Sequence, residues 1–258
     1  MRAADQAKEI NGVAATPPIT LFSFGYWGCG NATRSLVSAI NAAESQRGFG
    51  PPMWVDVRIS RDVRAAGFRQ KAFAELLLAN HKWMPELGNR CVEEGRKGIE
   101  IKNPVGAKQL LQIALDHPTR RVIFFCSCKF PAPCHRSVIG ELVMKYAKKR
   151  QAPVSVIEWP GGEPDAITID VSAAELRQFR RGKKKSMPVP SSITLAHAAA
   201  LPWGTIATIQ AGEEQMKFLV GPASFNSTGS HLPVFSEEPG TRTNSHAFRR
   251  NFGFAALK

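Results

Sequence analysis

The chain has 258 residues, 43% hydrophobic and 21% charged, which suits one large globular domain or a domain with a smaller module. No apolar run approaches the roughly 20 residues that span a bilayer, and the N-terminal stretch lacks the apolar segment of a signal peptide; the expectation is a cytoplasmic protein with no membrane partner. Lys and Arg number 34 against 21 Asp and Glu, a net charge of +13 that favours a polyanionic partner, nucleic acid above all, through counterion release. Five cysteines at irregular spacings do not read as a disulfide framework.

Residues 1–18 are polar, Ala-rich and closed by Pro17-Pro18, and read as a flexible tail. "ITLFSFG" (19–25) is a short apolar strand ending in glycine. "ATRSLVSAINAAESQ" (32–46) spaces Leu36, Val37, Ile40 and Ala43 as a helix does. "MWVDVR" (53–58) is a second strand. "RQKAFAELLLANH" (69–81) is a second helix, and "PVGAKQLLQIALDH" (104–117) a third, with Pro104 in its first turn. "RRVIFFC" (120–126) is a third strand, "HRSVIGELVMKYAKK" (135–149) a fourth helix and "PVSVIEW" (153–159) a fourth strand. Strands spaced by helices predict a Rossmann-like α/β domain over 19–160, with a largely parallel sheet flanked by helices. Residues 161–190 read as a basic linker or arm: a short helix, "SAAELRQF", runs into Arg180, Arg181, Lys183, Lys184 and Lys185 and then into prolines. Residues 191–258 form a small β-containing module. Within it "GTIATIQAGEEQMKFLVGPA" (204–223) reads as two strands joined by a turn, and the remainder as loop.

Ligands of parallel α/β sheets bind outside the carboxyl ends of the strands. Those ends carry "GYWGCGN" (25–31), "VDVR" (55–58), "WMPELGN" (83–89) and "FFCSCKFPAPCHRS" (124–137). With these four segments in this order, the chain resembles the domain-of-unknown-function family four-eight-eight over residues 20–159. The resemblance implies a Rossmann-like domain with an enzymatic site of undefined chemistry. Where the family commonly has Cys-Ala-Glu after the third strand, this chain has Cys126-Ser127-Cys128, so a carboxylate is missing there.

The cysteine-rich segment admits several readings. A C-x-C in extended chain sends its side chains to opposite faces, and the spacing is poor for a closed tetrahedral site, so no metal and no cofactor are expected. A reactive Cys134 at a basic helix start is a second reading. The third is that Cys126 and Cys134 simply pack as small hydrophobes. Arg136 at a helix N-terminus opposes the helix dipole unless an anion sits there, which points to a phosphate-gripping turn made by Arg136 and Lys129. The plainer alternative is a salt bridge from Arg136 to Asp56. The absence of G-x-G-x-x-G argues against a dinucleotide.

Asp56, a charge inside an apolar strand, and Glu86, in a loop, are the candidate catalytic carboxylates. Tyr26, Trp27, Asn31, Arg58, Cys126, Lys129, His135 and Arg136 are the candidate substrate-binding residues, with the two aromatics as stacking surfaces. Arg180, Arg181, Lys183, Lys184, Lys185, Arg249 and Arg250 are candidate phosphate contacts. Together they suggest an enzyme acting on DNA, a glycosylase that hydrolyses the N-glycosidic bond of a flipped base, with a modified base in phage defence or repair as one target. A non-catalytic nucleic-acid-binding module and a small-molecule enzyme of nucleotide or thiol chemistry are the alternatives. No obligate protein partner is expected.

Overall fold

The computed structural model describes residues 18–27, 33–181, 186–188, 197, 200–220, 231–235 and 251–255. A five-stranded, all-parallel sheet forms the centre. Its strands are β1 (Ile19–Gly25), β2 (Gly50–Asp56), β3 (His81–Trp83), β4 (Arg120–Cys126) and β5 (Val154–Glu158), in the spatial order β3-β2-β4-β1-β5. The helices α1 (Thr33–Gln46), α2 (Ala72–Leu77), α3 (Arg90–Glu93), α4 (Gly106–Asp116) and α5 (His135–Lys149) connect them.

Alternation along each strand feeds two cores. Phe22, Phe24, Trp54 and Phe125 turn to one face and pack with Leu36, Ile40 and Ala43 of α1 and Phe73 of α2. Leu21, Val55, Val122 and Phe124 turn to the other, against Leu110 and Leu111 of α4 and Ile139 and Val143 of α5. Both faces are thus covered, which explains why the strands read as unbroken apolar runs.

The helix expected over 69–81 is shorter than its periodicity suggested. Leu78, with φ +52°, ends it after one and a half turns; a single 3-10 turn over Leu78–Asn80 follows, and His81–Trp83 form the edge strand β3 on β2. Without β3, the backbone N–H and C=O groups along that side of β2 would stay unpaired, and pairing them outweighs helix propensity.

The segment expected as a linker is folded. It contains β6 (Ala166–Asp170) and α6 (Ala173–Arg180), the latter opened by a Ser172–Glu175 capping box. Strand β6 pairs in parallel with β8 (Ile206–Ala211), which forms a hairpin with β9 (Glu214–Leu219). The sheet continues through β10 (His231–Phe235), β11 (Asn251–Ala255) and β7 (Ser186–Pro188), so part of the expected terminal loop is strand. Ile169, Leu176, Phe179, Leu201, Ala207 and Ile209 join the core on the α1 face, alongside Phe22 and Trp159. The Trp159 indole donates to Glu44 Oε1 at 3.0 Å. No helix among the described residues is long and apolar enough to cross a membrane.

Candidate functional site

Because the five strands are parallel, their carboxyl ends share one rim. Gly25 lets the rim close. A Cβ there would lie 1.9 Å from the Cys128 carbonyl oxygen and 2.8 Å from an Arg136 nitrogen, so only glycine admits the turn after β4. Gly88 serves the same end on the "PELG" turn, where a Cβ would lie 2.5 Å from Ile59 Cα.

The sheet divides the expected site residues between its two faces. On the α1 face, Asp56 is fully buried and bound by Arg58 through both oxygens: Nε donates to Oδ1 at 2.7 Å and Nη2 to Oδ2 at 2.5 Å. The Arg58 backbone N–H adds a third bond at 3.1 Å, and Arg58 Nη1 donates to the Tyr26 hydroxyl at 3.0 Å. Burial works to lower the Arg58 pKa, but its bonds to the Asp56 carboxylate prevail and raise it. Burial pushes the Tyr26 phenol above its usual value, with Arg58 offsetting part of the effect. Tyr26 stacks on Phe68 with centroids 3.9 Å apart. Two expectations are corrected here. The carboxylate is enclosed, with each oxygen held by a guanidinium, so Asp56 stands as the buried partner of Arg58 and not as an open group on the rim. Tyr26 is a core residue, already stacked, and not a base platform.

On the α5 face, Arg136 is wholly buried and paired with Glu158 at 2.5 Å. It also donates to the Ser23 hydroxyl at 3.2 Å and to the Cys128 carbonyl at 3.2 Å, while Ser23 donates to the other Glu158 oxygen. The expected bridge to Asp56 is therefore replaced by one to Glu158. The phosphate-gripping role is corrected as well, because Arg136 is screened from solvent and already neutralised.

The sulfurs do not separate as extended chain requires. A bend at Ser127 breaks the alternation, and the Cys126 and Cys134 Sγ atoms lie 3.1 Å apart. The Cys128 N–H donates to Cys126 Sγ at 3.3 Å, and the Cys128 thiol lies close enough to interact with both others. His135 Nε2 lies 3.0 Å from the Val57 carbonyl oxygen, which can only accept, so Nε2 donates there, and Nδ1 lies 3.7 Å from Cys134 Sγ. Hydrogen bonds from Cys126 and then Cys128 hold the Cys134 thiol well below the usual range, and the Cys126 thiol is raised in exchange.

The rim surface carries aromatics with cations over them. Trp27, 55% exposed, has the Lys129 ammonium 5.3 Å from its ring centroid, and the same ammonium lies 5.1 Å from the ring of Phe130, 44% exposed. At the edge strand, Trp83 is 39% exposed under the Arg61 guanidinium at 4.1 Å, with its indole N–H on the Arg58 carbonyl at 3.0 Å. An open depression lined by Arg61, Asp62, Arg69, Gln70, Lys71, Ala72 and Glu75 adjoins it. Trp27 and Lys129 thus stand where the sequence placed them. Trp83, Phe130 and Arg61 were missed, although Trp83 and Phe130 lie inside the strand-end segments already singled out.

Glu86 is half-buried in a single turn after β3, on the far face from Asp56, with its Cγ against Gly106 at the start of α4. The two carboxylates do not form a pair. Arg180 bridges to Glu214 at 2.7 Å, and Arg181 is exposed. Asn31, Lys183, Lys184, Lys185, Arg249 and Arg250 lie outside the described residues.

Comparison with protein-family models, with curated proteins and with solved structures finds no match to this chain. The resemblance set out above therefore rests on its four motifs alone.

Proposed function

We propose that the protein binds nucleic acid along the strand-end rim, taking unpaired bases onto Trp27, Phe130 and Trp83. The observation that carries this reading is the set of three exposed aromatics, each with a cation over its ring, at the ends of three different strands. A ring polarised by a cation is a stacking surface for a base, and the same cation serves the adjoining phosphate. Trp83 and Trp27 follow strands three places apart in the sheet, about 14 Å at about 4.8 Å per strand, a span suited to an extended strand and not to one small molecule. The net charge of +13 supports a polyanion.

Base excision is the reaction proposed for this rim. Hydrolysis of an N-glycosidic bond builds positive charge on the sugar, and Glu86, whose carboxylate has no ion pair among the described residues, is the carboxylate suited to answer it. The enclosure of Asp56 favours a second reading, a binding module without chemistry.

Binding of fluorescent single-stranded DNA, duplex DNA and RNA tests the first claim. Trp27→Ala and Trp83→Ala should each weaken single-strand binding by about tenfold or more, the effect of removing one stacking partner. Equal binding by both variants would remove the rim from the interface. An abasic-site assay on modified and unmodified DNA tests the second claim, with Glu86→Gln expected to slow release about 100-fold. Rim variants that lose binding, in a protein that releases no base from any DNA, would establish the binding module.

A further inference from the structure

The stacking rim makes no use of the sulfurs beneath it. Cys126 and Cys134 are 1% and 2% exposed, neither is in a disulfide, and His135 closes the group. One ligand atom from each of the three lies within 4.8 Å of the other two. We propose that Cys126, Cys134 and His135 bind a zinc ion, with Cys128, outside that trio but on the same turn, rotating in as the fourth ligand.

The geometry fits the ion. With Zn–S near 2.3 Å and Zn–N near 2.0–2.1 Å, a tetrahedral site sets S···N at about 3.6 Å and S···S at about 3.8 Å. Cys134 Sγ and His135 Nδ1 are 3.7 Å apart, already at that spacing. The two sulfurs, at 3.1 Å, need to open by a fraction of an ångström, which a small side-chain rotation provides.

The surroundings fit a metal as well. A zinc-ligating imidazole commonly fixes its other nitrogen by donating to a carbonyl, and His135 Nε2 does so to Val57. One sulfur of the set already accepts a backbone hydrogen bond, from the Cys128 N–H to Cys126 Sγ, which suits a thiolate there. Soft thiolates with one imidazole select zinc over the hard cations. The sequence argument against a metal assumed extended chain through Cys128, and the bend at Ser127 removes that assumption. Such an ion ties the end of β4 to the start of α5 and, through His135, to the chain just after β2. It thereby fixes the turn that presents Lys129 and Phe130.

The test uses the full chain, purified under reducing conditions, exposed to zinc and desalted. Elemental analysis should find about one zinc per chain, and Cys134→Ser and His135→Ala should lose it. Cobalt added to metal-free wild type should give tetrahedral visible bands and a near-ultraviolet thiolate-to-metal band whose intensity counts the sulfurs. That measurement still decides the matter if the variants misfold. Wild type that takes up neither zinc nor cobalt overturns the proposal. So does full zinc retention by Cys134→Ser and His135→Ala. None of these readouts depends on nucleic-acid binding.

Discussion

Arg58 and Arg136 are both buried, and each is held by one carboxylate, Asp56 and Glu158 respectively. Breaking such a pair from one side leaves an uncompensated charge away from water, which costs far more than the pair itself contributes. Asp56→Asn therefore behaves as a folding lesion. It should lower stability by about 3–5 kcal/mol in urea unfolding, with little change in nucleic-acid affinity for the fraction that remains folded. Tyr26→Phe removes one hydroxyl that accepts from Arg58 while keeping the stack on Phe68, and should cost only about 1–3 kcal/mol. An Asp56→Asn protein that melts like the wild type would rule out a stabilising role for this ion pair.

At the scale of elements, two short features decide the geometry of the rim. Gly25 ends β1 where the turn after β4 crosses it, and any side chain there meets the Cys128 carbonyl. Gly25→Ala should destabilise the protein as an overpacked core does, by about 1–3 kcal/mol or more, and should also weaken nucleic-acid binding by shifting Lys129 and Phe130. A binding constant unchanged in a destabilised Gly25→Ala protein would separate that turn from the interface. The capping box of α6 is a local matter. Ser172→Ala leaves the N–H of Glu175 without its acceptor and should cost about 1 kcal/mol, read as a shift in the unfolding midpoint with no effect on binding.

For the whole molecule, stability against pH follows from what the α1-face core buries. Burial holds the His81 pKa below 6.5, with Asp56 opposing and Arg61 and Arg58 assisting. The unfolded chain thus binds a proton that the folded chain resists, and this contribution is lost as pH falls through 6.5. Tyr26 works at the other end. Its raised pKa means the unfolded chain ionises first, so stability falls as pH rises above 10.0. Melting temperature should decline between about pH 7 and pH 5, and His81→Gln should flatten that decline. A decline of equal slope in His81→Gln would assign it to other groups.

The order of strands and helices was legible because it rests on local periodicity. Residues 19–25, 120–126 and 135–149 match β1, β4 and α5 to the residue, since each is a complete apolar run or amphipathic repeat with its own boundary signal. The strand-end rim followed from the parallel order alone, and with it the place of Trp27 and Lys129 in the loops beyond β1 and β4. Partners across the sheet were not legible. Whether Arg136 met Asp56 or Glu158 depended on β5 lying beside β1. Strand β3 was hidden because three residues carry no periodicity, and only the open side of β2 demands them. The convergence of Cys126, Cys134 and His135 turned on one bend at Ser127, a non-local choice made by packing α5 against the end of β4. Periodicity is written in neighbours along the chain, whereas ion pairs and ligand clusters are written in neighbours through space.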